Sequence, residues 1–212
     1  MANRHYDLLV IAPEEFIESL KPLEAHKNNT GMATKLLSLE KIYRENTGRD
    51  EAEKIKQCLA AYNRNSKIQY AMLVGDCEKF PIRYTKTDRY TTEPSDPTHN
   101  TTYFPTDLYY ADLFEHDGSF DDWDRNHNGY FGELQGGKTA GKLNIDAVDL
   151  RPDITVGRLP ASTHSEARVY VSKVIRYEQS AYGASWSRKA LLIATTDWIR
   201  DAQVSAAFLW PI

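Results

Sequence analysis

The feature that most constrains the fold is an alternation of short apolar runs with helical segments near the N-terminus. The runs Tyr6–Ala12, Thr34–Leu39 and Gln69–Val74 have the length and the apolar character of buried strands. Segments with helical periodicity separate them, and this alternation is typical of a parallel sheet covered by helices. The sequence therefore predicts an α/β fold in which a parallel sheet is sandwiched by helices.

The helical segments carry start and stop signals. Residues 14–29 read as helical in two pieces, with Pro22 in the first turn of the second piece, where a missing N–H is tolerated. Gly31 fits a C-terminal cap, because glycine readily adopts the left-handed conformation that ends many helices. Asp50, with Glu53 three residues later, is a capping signature. It precedes an apolar helical face made of Ala52, Ile55, Leu59 and Tyr62.

The regular pattern fades over residues 76–150, where Pro, Thr, Asp and Gly are frequent and only Leu108–Leu113 looks strand-like. It returns with a predicted strand at Asp153–Gly157 and a helix that begins at a capping box of Thr163 and Glu166. A further predicted strand follows at Ala190–Ala194.

This layout predicts two subdomains. Residues 1–148 would form a first α/β subdomain that carries a polar excursion at about residues 114–148. Residues 149–212 would be the beginning of a second subdomain. A chain of 212 residues has the length for this arrangement.

Composition argues against several partners. A net charge of −4 disfavours a nucleic-acid surface, which would show clustered Lys and Arg. The two cysteines are too few for a disulfide framework and lack zinc-ligand spacing. No apolar run approaches the roughly 18 residues of a membrane span. We also read no signal peptide before Tyr6, so a targeting segment of an exported protein would lie outside this chain.

The stretch 121–133, DDWDRNHNGYFGE, is too polar to drive a core and matches the opening of a calcium loop. Ca²⁺ takes about six to eight oxygen ligands, and alternate positions of a turning loop point inward. Gly129 stands at the sixth place, where a left-handed bend is needed. The predicted ligands are the side chains of four residues and the carbonyl of a fifth, namely Asp124, Asn126, Asn128, Glu133 and Tyr130.

This loop departs from an EF-hand, because Glu133 stands at the tenth place and not the twelfth. A second register that starts at Asp122 also alternates oxygens, but it puts His127 where glycine belongs. A surface turn that binds no ion is the alternative. If calcium binds, we expect it to order the polar excursion, since long loops are seldom ordered unaided. The predicted site is a stabilising one.

Catalytic motifs are scarce. The turn after the first predicted strand lacks a G-x-G-x-x-G, and neither a Walker A lysine nor a G-x-S-x-G elbow occurs. Cys77 follows the third predicted strand, at the edge where α/β proteins place function. As a nucleophile it would need a histidine base, and the candidates are His99, His116 and His127. We favour a packing role for Cys77.

Three acids remain as candidates. Asp76 and Asp107 either hold the polar excursion or cap turns. Asp201 follows the predicted strand Ala190–Ala194 across a short loop, where an acid either caps a helix or reads a cationic substrate side chain.

The assembled order resembles the gingipain-type cysteine peptidase family. The resemblance rests on "LLVIAPEEF…LKPLEAHKNNTG", on "YAMLVGD" followed by "FPI", on "DLYYADL", and on "RPDITVGRLPASTHSEARVYVSKVIRYE". It runs from about Tyr6 to Gln203. Several family members also resemble this chain in a D-x-N-x-N-G type insertion before the "VGR" strand.

The resemblance implies a caspase-like fold of two α/β subdomains and endopeptidase chemistry on protein or peptide substrates. A cysteine thiolate would attack the peptide carbonyl, with a histidine as general base and acid. The family's His-Gly and cysteine motifs do not occur here, so we expect the chain alone to be inert and Cys77 to inherit no role. Asp201 falls where Arg-specific relatives place the acid of their specificity pocket, although the loop before it is shorter here.

From this resemblance we expect the N-terminal portion of a secreted or surface-exposed, calcium-stabilised cysteine endopeptidase. The first alternative is a non-catalytic, calcium-dependent adhesion or surface-assembly module derived from the same fold. The second is a small-molecule-binding doubly wound domain, which the missing glycine loop disfavours.

Overall fold

The computed structural model describes residues 5–88, 101–135, 145–181 and 183–189. The strands are β1 (Leu8–Ala12), β2 (Thr34–Ser38), β3 (Tyr70–Val74), β4 (Arg83–Asp88), β5 (Thr101–Thr106), β6 (Phe131–Gln135) and β7 (Thr155–Leu159). The α-helices are α1 (Ile17–Asn29), α2 (Leu39–Glu45), α3 (Glu51–Ser66), α4 (Leu108–Ala111) and α5 (His164–Ala181). Short 3₁₀ turns lie at Glu14–Phe16 and Ser185–Arg188.

The main sheet has the order β2-β1-β3-β7, and all of its strand pairs are parallel. Every residue of β1 is buried, as expected for a central strand that is covered on both faces. The predicted α/β class, a parallel sheet flanked by helices, is therefore confirmed. The strand β7 begins at Thr155, two residues later than the predicted strand Asp153–Gly157.

A second, three-stranded sheet has the order β5-β4-β6 and was not predicted. β4 pairs antiparallel with β5 and parallel with β6, with a register shift between Thr85 and Thr87. This sheet crosses the stretch that we describe as a polar excursion, so part of that excursion has regular structure. It places β6 directly after the predicted calcium loop.

The first helical segment divides earlier than predicted. The break lies between Phe16 and Ile17, and Pro22 lies inside α1 and not in its first turn. The predicted cap at Gly31 is confirmed: its φ is +91°, and the Met32 N–H donates to the Lys27 carbonyl at 3.0 Å.

The helix N-termini follow the predicted capping pairs. Asp50 accepts a hydrogen bond from the Glu53 N–H at 2.8 Å at the start of α3. The Glu53 carboxylate turns back to the Arg49 N–H, also at 2.8 Å. At the start of α5, the Thr163 hydroxyl accepts from the Glu166 N–H at 3.2 Å. Both capping predictions are confirmed.

The segment Leu108–Leu113 is not a strand, and this prediction was wrong. It contains the single-turn helix α4, and the Tyr109 and Tyr110 side chains are buried. The Tyr110 hydroxyl donates to the Pro81 carbonyl at 2.7 Å. The Tyr109 ring packs edge-on against the rings of Trp123 and Phe131, with centroids 5.5 and 6.1 Å apart. A short apolar run of this kind does not distinguish a strand from a buried helical turn.

The chain divides into two compact units, residues 1–172 and 173–212. The first holds both sheets and the main core. In the described part of the second, the Tyr177 and Trp186 rings lie 5.4 Å apart. The boundary that we predict after residue 148 stays a prediction; β7, which follows it, pairs with β3 in the first unit. No helix among the described residues is long and apolar enough to cross a membrane.

Candidate functional site

The predicted calcium loop is anchored at its exit by Gly132. The Gly132 N–H donates to the Trp123 carbonyl at 2.7 Å, and its carbonyl accepts from the Thr85 hydroxyl at 2.8 Å. Gly132 has a φ of +59°, and a Cβ there would lie 2.8 Å from Thr85 Oγ1 and 3.0 Å from the Trp123 ring. Only glycine fits this position without displacing a neighbour, and the loop is thereby held against the buried Trp123.

The four predicted side-chain ligands converge. Glu133 Oε2 accepts hydrogen bonds from the side-chain amides of Asn126 and Asn128, at 3.1 and 2.7 Å. Asp124 Oδ1 accepts from the Asn128 N–H at 2.9 Å, and Asp124 Oδ2 from the Gly129 N–H at 3.2 Å. Asp124 and Glu133 are buried.

The backbone has the bends that the motif requires. Gly129, at the sixth place, has a φ of +82°. His127 is also left-handed, with a φ of +58°. The Asn128 carboxamide oxygen accepts from the Tyr130 N–H at 2.9 Å, which keeps the loop turning at the residue whose carbonyl is the fifth predicted ligand.

Two basic side chains that the sequence analysis missed reach into the loop. Lys86 Nζ lies 3.0 Å from Glu133 Oε1. Arg49 Nη1 lies 3.2 Å from Asp124 Oδ2, and the same guanidinium pairs with Glu53 at 2.7 Å and with Asp122. Burial opposes the charge on Glu133, but hydrogen bonds from Asn128, Lys86 and Asn126 hold the pKa of that carboxyl below its usual value.

Asp146 is a further acid of the site that sequence reasoning missed. It is fully buried, and its two oxygens accept from the backbone N–H groups of Arg125, at 3.1 Å, and Glu133, at 2.9 Å. It therefore joins the entry and the exit of the loop. Burial raises the pKa of Asp146. No motif marks this residue; only its position after the loop would have suggested it.

The donor set fits calcium by its chemistry. Ca²⁺ prefers carboxylate, carboxamide and carbonyl oxygens in a flexible arrangement, and the loop offers two carboxylates, two carboxamides and the Tyr130 carbonyl. A half-turn of each Asn carboxamide would present its oxygen in place of its NH₂ group. The described residues contain no group of three or more His, Cys, Asp or Glu side chains placed to hold a metal, so the carboxamides are essential to this fit.

A buried charge cluster lies beside the loop. Lys56 and Asp112 are fully buried and Asp121 nearly so. Lys56 Nζ donates to the Asp121 carbonyl at 2.7 Å and lies 4.6 Å from the centre of the Tyr109 ring. Both carboxylate oxygens of Asp112 and Oδ1 of Asp121 meet no donor among the described residues.

The cluster shifts the ionisation of its members. Burial, reinforced by the neighbouring Asp121, raises the pKa of Asp112 to about 7. Burial likewise raises the pKa of Asp121 to about 6, and it lowers the pKa of Lys56 to about 8. Each shift follows from the cost of a charge that is removed from water.

The carboxyl edge of the main sheet holds the other candidates. Asp76 closes a turn: Oδ1 accepts from the Glu78 and Lys79 N–H groups at 3.0 and 3.1 Å, and Oδ2 accepts from the Ser162 hydroxyl. That hydrogen bond from Ser162 is the main cause of a lowered pKa of Asp76. Cys77 is exposed in the same turn, so the packing role that we favour from the sequence is wrong. Within the described residues, it forms no hydrogen bond with a histidine.

Asp107 has a structural partner. It receives two hydrogen bonds from the Arg158 guanidinium, at 2.7 and 2.8 Å. Arg158 also donates to the Gly75 carbonyl at 3.0 Å, so it joins the ends of β3 and β7 to the start of α4. Asp201, the predicted strand Ala190–Ala194 and His99 lie outside the described residues.

The described residues place the protein in the α/β class: it has a parallel sheet covered by helices and a polar, oxygen-rich loop before β7. A family model of peptidase family C25, the gingipain family, matches residues 1–208, and the chain belongs to this family. No curated protein matches the chain.

Three solved structures are similar. One is a protease that is 19% identical to this chain, with a TM-score of 0.55; the match covers 93% of this chain and 34% of the protease chain. Dimeric latent PorU from Porphyromonas gingivalis is 16% identical with a TM-score of 0.54, covering 93% and 18%. The Arg-specific cysteine proteinase gingipain R is 15% identical with a TM-score of 0.48, covering 82% and 28%. The chain thus spans about a third or less of each structure's length, and the likeness to the first two shows the fold.

Proposed function

We propose that the chain is the N-terminal portion of a gingipain-like cysteine endopeptidase that calcium stabilises. Membership of peptidase family C25 supports the chemistry and a protein or peptide substrate. The Cys/His dyad would be supplied by segments of the full-length protein beyond residue 212. Secretion or display at the cell surface follows from the resemblance alone.

The calcium part of the proposal rests on one observation, which is the convergence of Asp124, Asn126, Asn128 and Glu133 in a loop with glycine at its sixth place. Bound there, the ion would neutralise Asp124 and Glu133. Two other residues hold the loop in place: Asp146 fixes both ends of the loop, and Gly132 holds it against Trp123.

Thermal melts with a chelator and with added Ca²⁺ test this proposal. At a free concentration about 100 times the dissociation constant, the ion adds roughly 2.7 kcal/mol. For a chain of this size that corresponds to a rise in Tm of roughly 5–10 °C. Asp124→Ala should abolish the rise, whereas Asp117→Asn, on an exposed turn outside the loop, should keep it. Identical melts of the wild-type chain in both buffers would remove calcium from the proposal.

Peptide hydrolysis by the full-length protein is a separate test. We expect cleavage that a cysteine-alkylating reagent blocks. A full-length protein that responds to calcium but cleaves no peptide would instead favour the adhesion or surface-assembly module.

A further inference from the structure

We propose that Lys86 and Arg49 are built-in counter-cations of the calcium loop, and that an incoming calcium ion displaces Lys86 from Glu133. Lys86 then sets the affinity of the site, and the loop stays folded at low calcium. This inference rests on the calcium site of the proposed function.

The position of Lys86 makes it a competitor for the ion. Its Nζ lies 3.0 Å from Glu133 Oε1, while Glu133 Oε2 is engaged by Asn126 and Asn128. A carboxylate that closes a calcium loop commonly binds the ion through both oxygens, so the ammonium occupies a ligand atom. Nζ also lies 4.0 Å from the centre of the ring of Tyr130, the residue whose carbonyl is the fifth ligand.

Lys86 is able to leave. Its side chain is 19% exposed, against 6% for Glu133. A lysine ammonium sits on a flexible four-carbon stem and is strongly hydrated, so it reaches water without a change in the backbone. The retracted ammonium would avoid repulsion from the divalent ion, which is strong where the surroundings are dry.

Arg49 is held differently and stays. Its guanidinium pairs with Glu53 at 2.7 Å and with Asp122 as well as with Asp124. The Arg49 guanidinium contacts Oδ2 of Asp124. The other oxygen, Oδ1, accepts the Asn128 N–H and is not part of the ion pair with Arg49. Oδ1 is therefore the Asp124 oxygen available to an ion while Arg49 remains in place.

The three buried carboxylates Asp124, Glu133 and Asp146 each have a partner in this structure. Asp124 has Arg49, Glu133 has Lys86, and Asp146 has two backbone N–H groups. Unpaired buried charge is costly, and a loop that depended on the ion would be expected to open without it. Calcium here exchanges with an internal cation, and this exchange weakens its binding.

Isothermal titration of Ca²⁺ into the purified, chelator-stripped 212-residue chain tests the exchange. We expect Lys86→Met to tighten binding by roughly 10–100-fold at unchanged stoichiometry, because the charge count around the site sets calcium affinity. Lys86→Arg, which keeps the charge, should bind like the wild type. Lys79→Met removes a surface lysine paired with Glu15 at 2.8 Å, away from the loop, and should change nothing.

The outcomes separate the two ideas. Equal dissociation constants for the wild type and Lys86→Met would overturn the exchange while the calcium site stands. No binding by any variant would overturn the calcium site, and the exchange with it. Circular dichroism checks that each variant is folded, and Lys86→Gln replaces the Met variant if that one is not.

Discussion

Replacing Asp112 by Asn should make the protein more stable, and increasingly so as the pH rises. The carboxylate is fully buried beside Asp121, and neither of its oxygens meets a donor among the described residues. An Asn keeps the shape and carries no charge. The substitution therefore removes the cost of ionising a buried group and leaves the packing in place.

The magnitude follows from the raised pKa of Asp112, about 7 against an ordinary value of 3.8. The folded protein therefore binds the proton of the Asp112 carboxyl more tightly than the unfolded chain does. The stability that this protonation contributes is complete below pH 4 and is lost as the pH rises through 7. Full ionisation corresponds to about 4 kcal/mol, since a tenfold change in proton affinity is about 1.4 kcal/mol. From pH 5 to pH 8 the advantage of Asp112→Asn over the wild type should grow by about 2–3 kcal/mol.

Urea unfolding followed by tryptophan fluorescence at several pH values between 5 and 8 measures this difference. Burial lowers the pKa of Lys56 to about 8. Deprotonation of Lys56 therefore makes the folded protein more stable as the pH rises from 8 to 10.5, which is a higher pH range and the opposite direction. Asp117→Asn, on an exposed turn, is the control and should run parallel to the wild type. If the stability of Asp112→Asn also changes with pH in parallel with the wild type, ionisation of Asp112 does not destabilise the fold and the prediction is wrong.

Three further predictions concern the loop and the candidate site residues. Gly132→Ala should destabilise the protein by about 2–4 kcal/mol in urea unfolding, because the added Cβ overlaps Thr85 and Trp123. The control Gly118→Ala, also at positive φ but in open space, should cost only about 1 kcal/mol. Equal losses of stability in the two variants would show that crowding is not the cause. Cys77→Ser should leave Tm unchanged, and the wild-type chain should cleave no Arg or Lys peptide; thiol-dependent cleavage that this variant loses would reinstate Cys77 as a nucleophile. In the full-length protein, Asp201→Ala should lower kcat/KM for Arg substrates far more than for neutral ones and leave Tm unchanged. The reason is that a pocket carboxylate pairs with a guanidinium through two charge-assisted hydrogen bonds. A loss of about 1 kcal/mol of stability with unchanged specificity would instead make Asp201 a helix cap.

The parts of the fold that were predictable are those that neighbours in sequence determine. The apolar runs of β1, β2 and β3, the caps at Asp50 and Thr163, and the bend at Gly31 are all local patterns. Leu108–Leu113 was misread, because its buried tyrosines pack against distant residues, Tyr109 against Trp123 and Phe131 and Tyr110 against Phe80, which no local pattern reveals. The strands β4 to β6 are rich in polar residues and lack a continuous apolar run of strand length.

The candidate site divides in the same way. The spacing of Asp124, Asn126 and Asn128 was readable because these predicted ligands lie close together in the sequence. Arg49 and Lys86 come from other elements, and only the folded chain brings them to the loop. No sequence pattern specifies such a contact, since a charged surface residue and a buried counter-ion look alike before folding.

The order of the main sheet has a consequence for synthesis on the ribosome. β3 pairs with β7 from Tyr70↔Thr155 to Val74↔Leu159, so the edge of β3 waits for a strand made much later. At typical elongation rates of 5–20 residues per second the delay is on the order of ten seconds. Throughout it the nascent β1–β2–β3 unit presents an unpaired strand edge, and such an edge is a template for pairing with other chains.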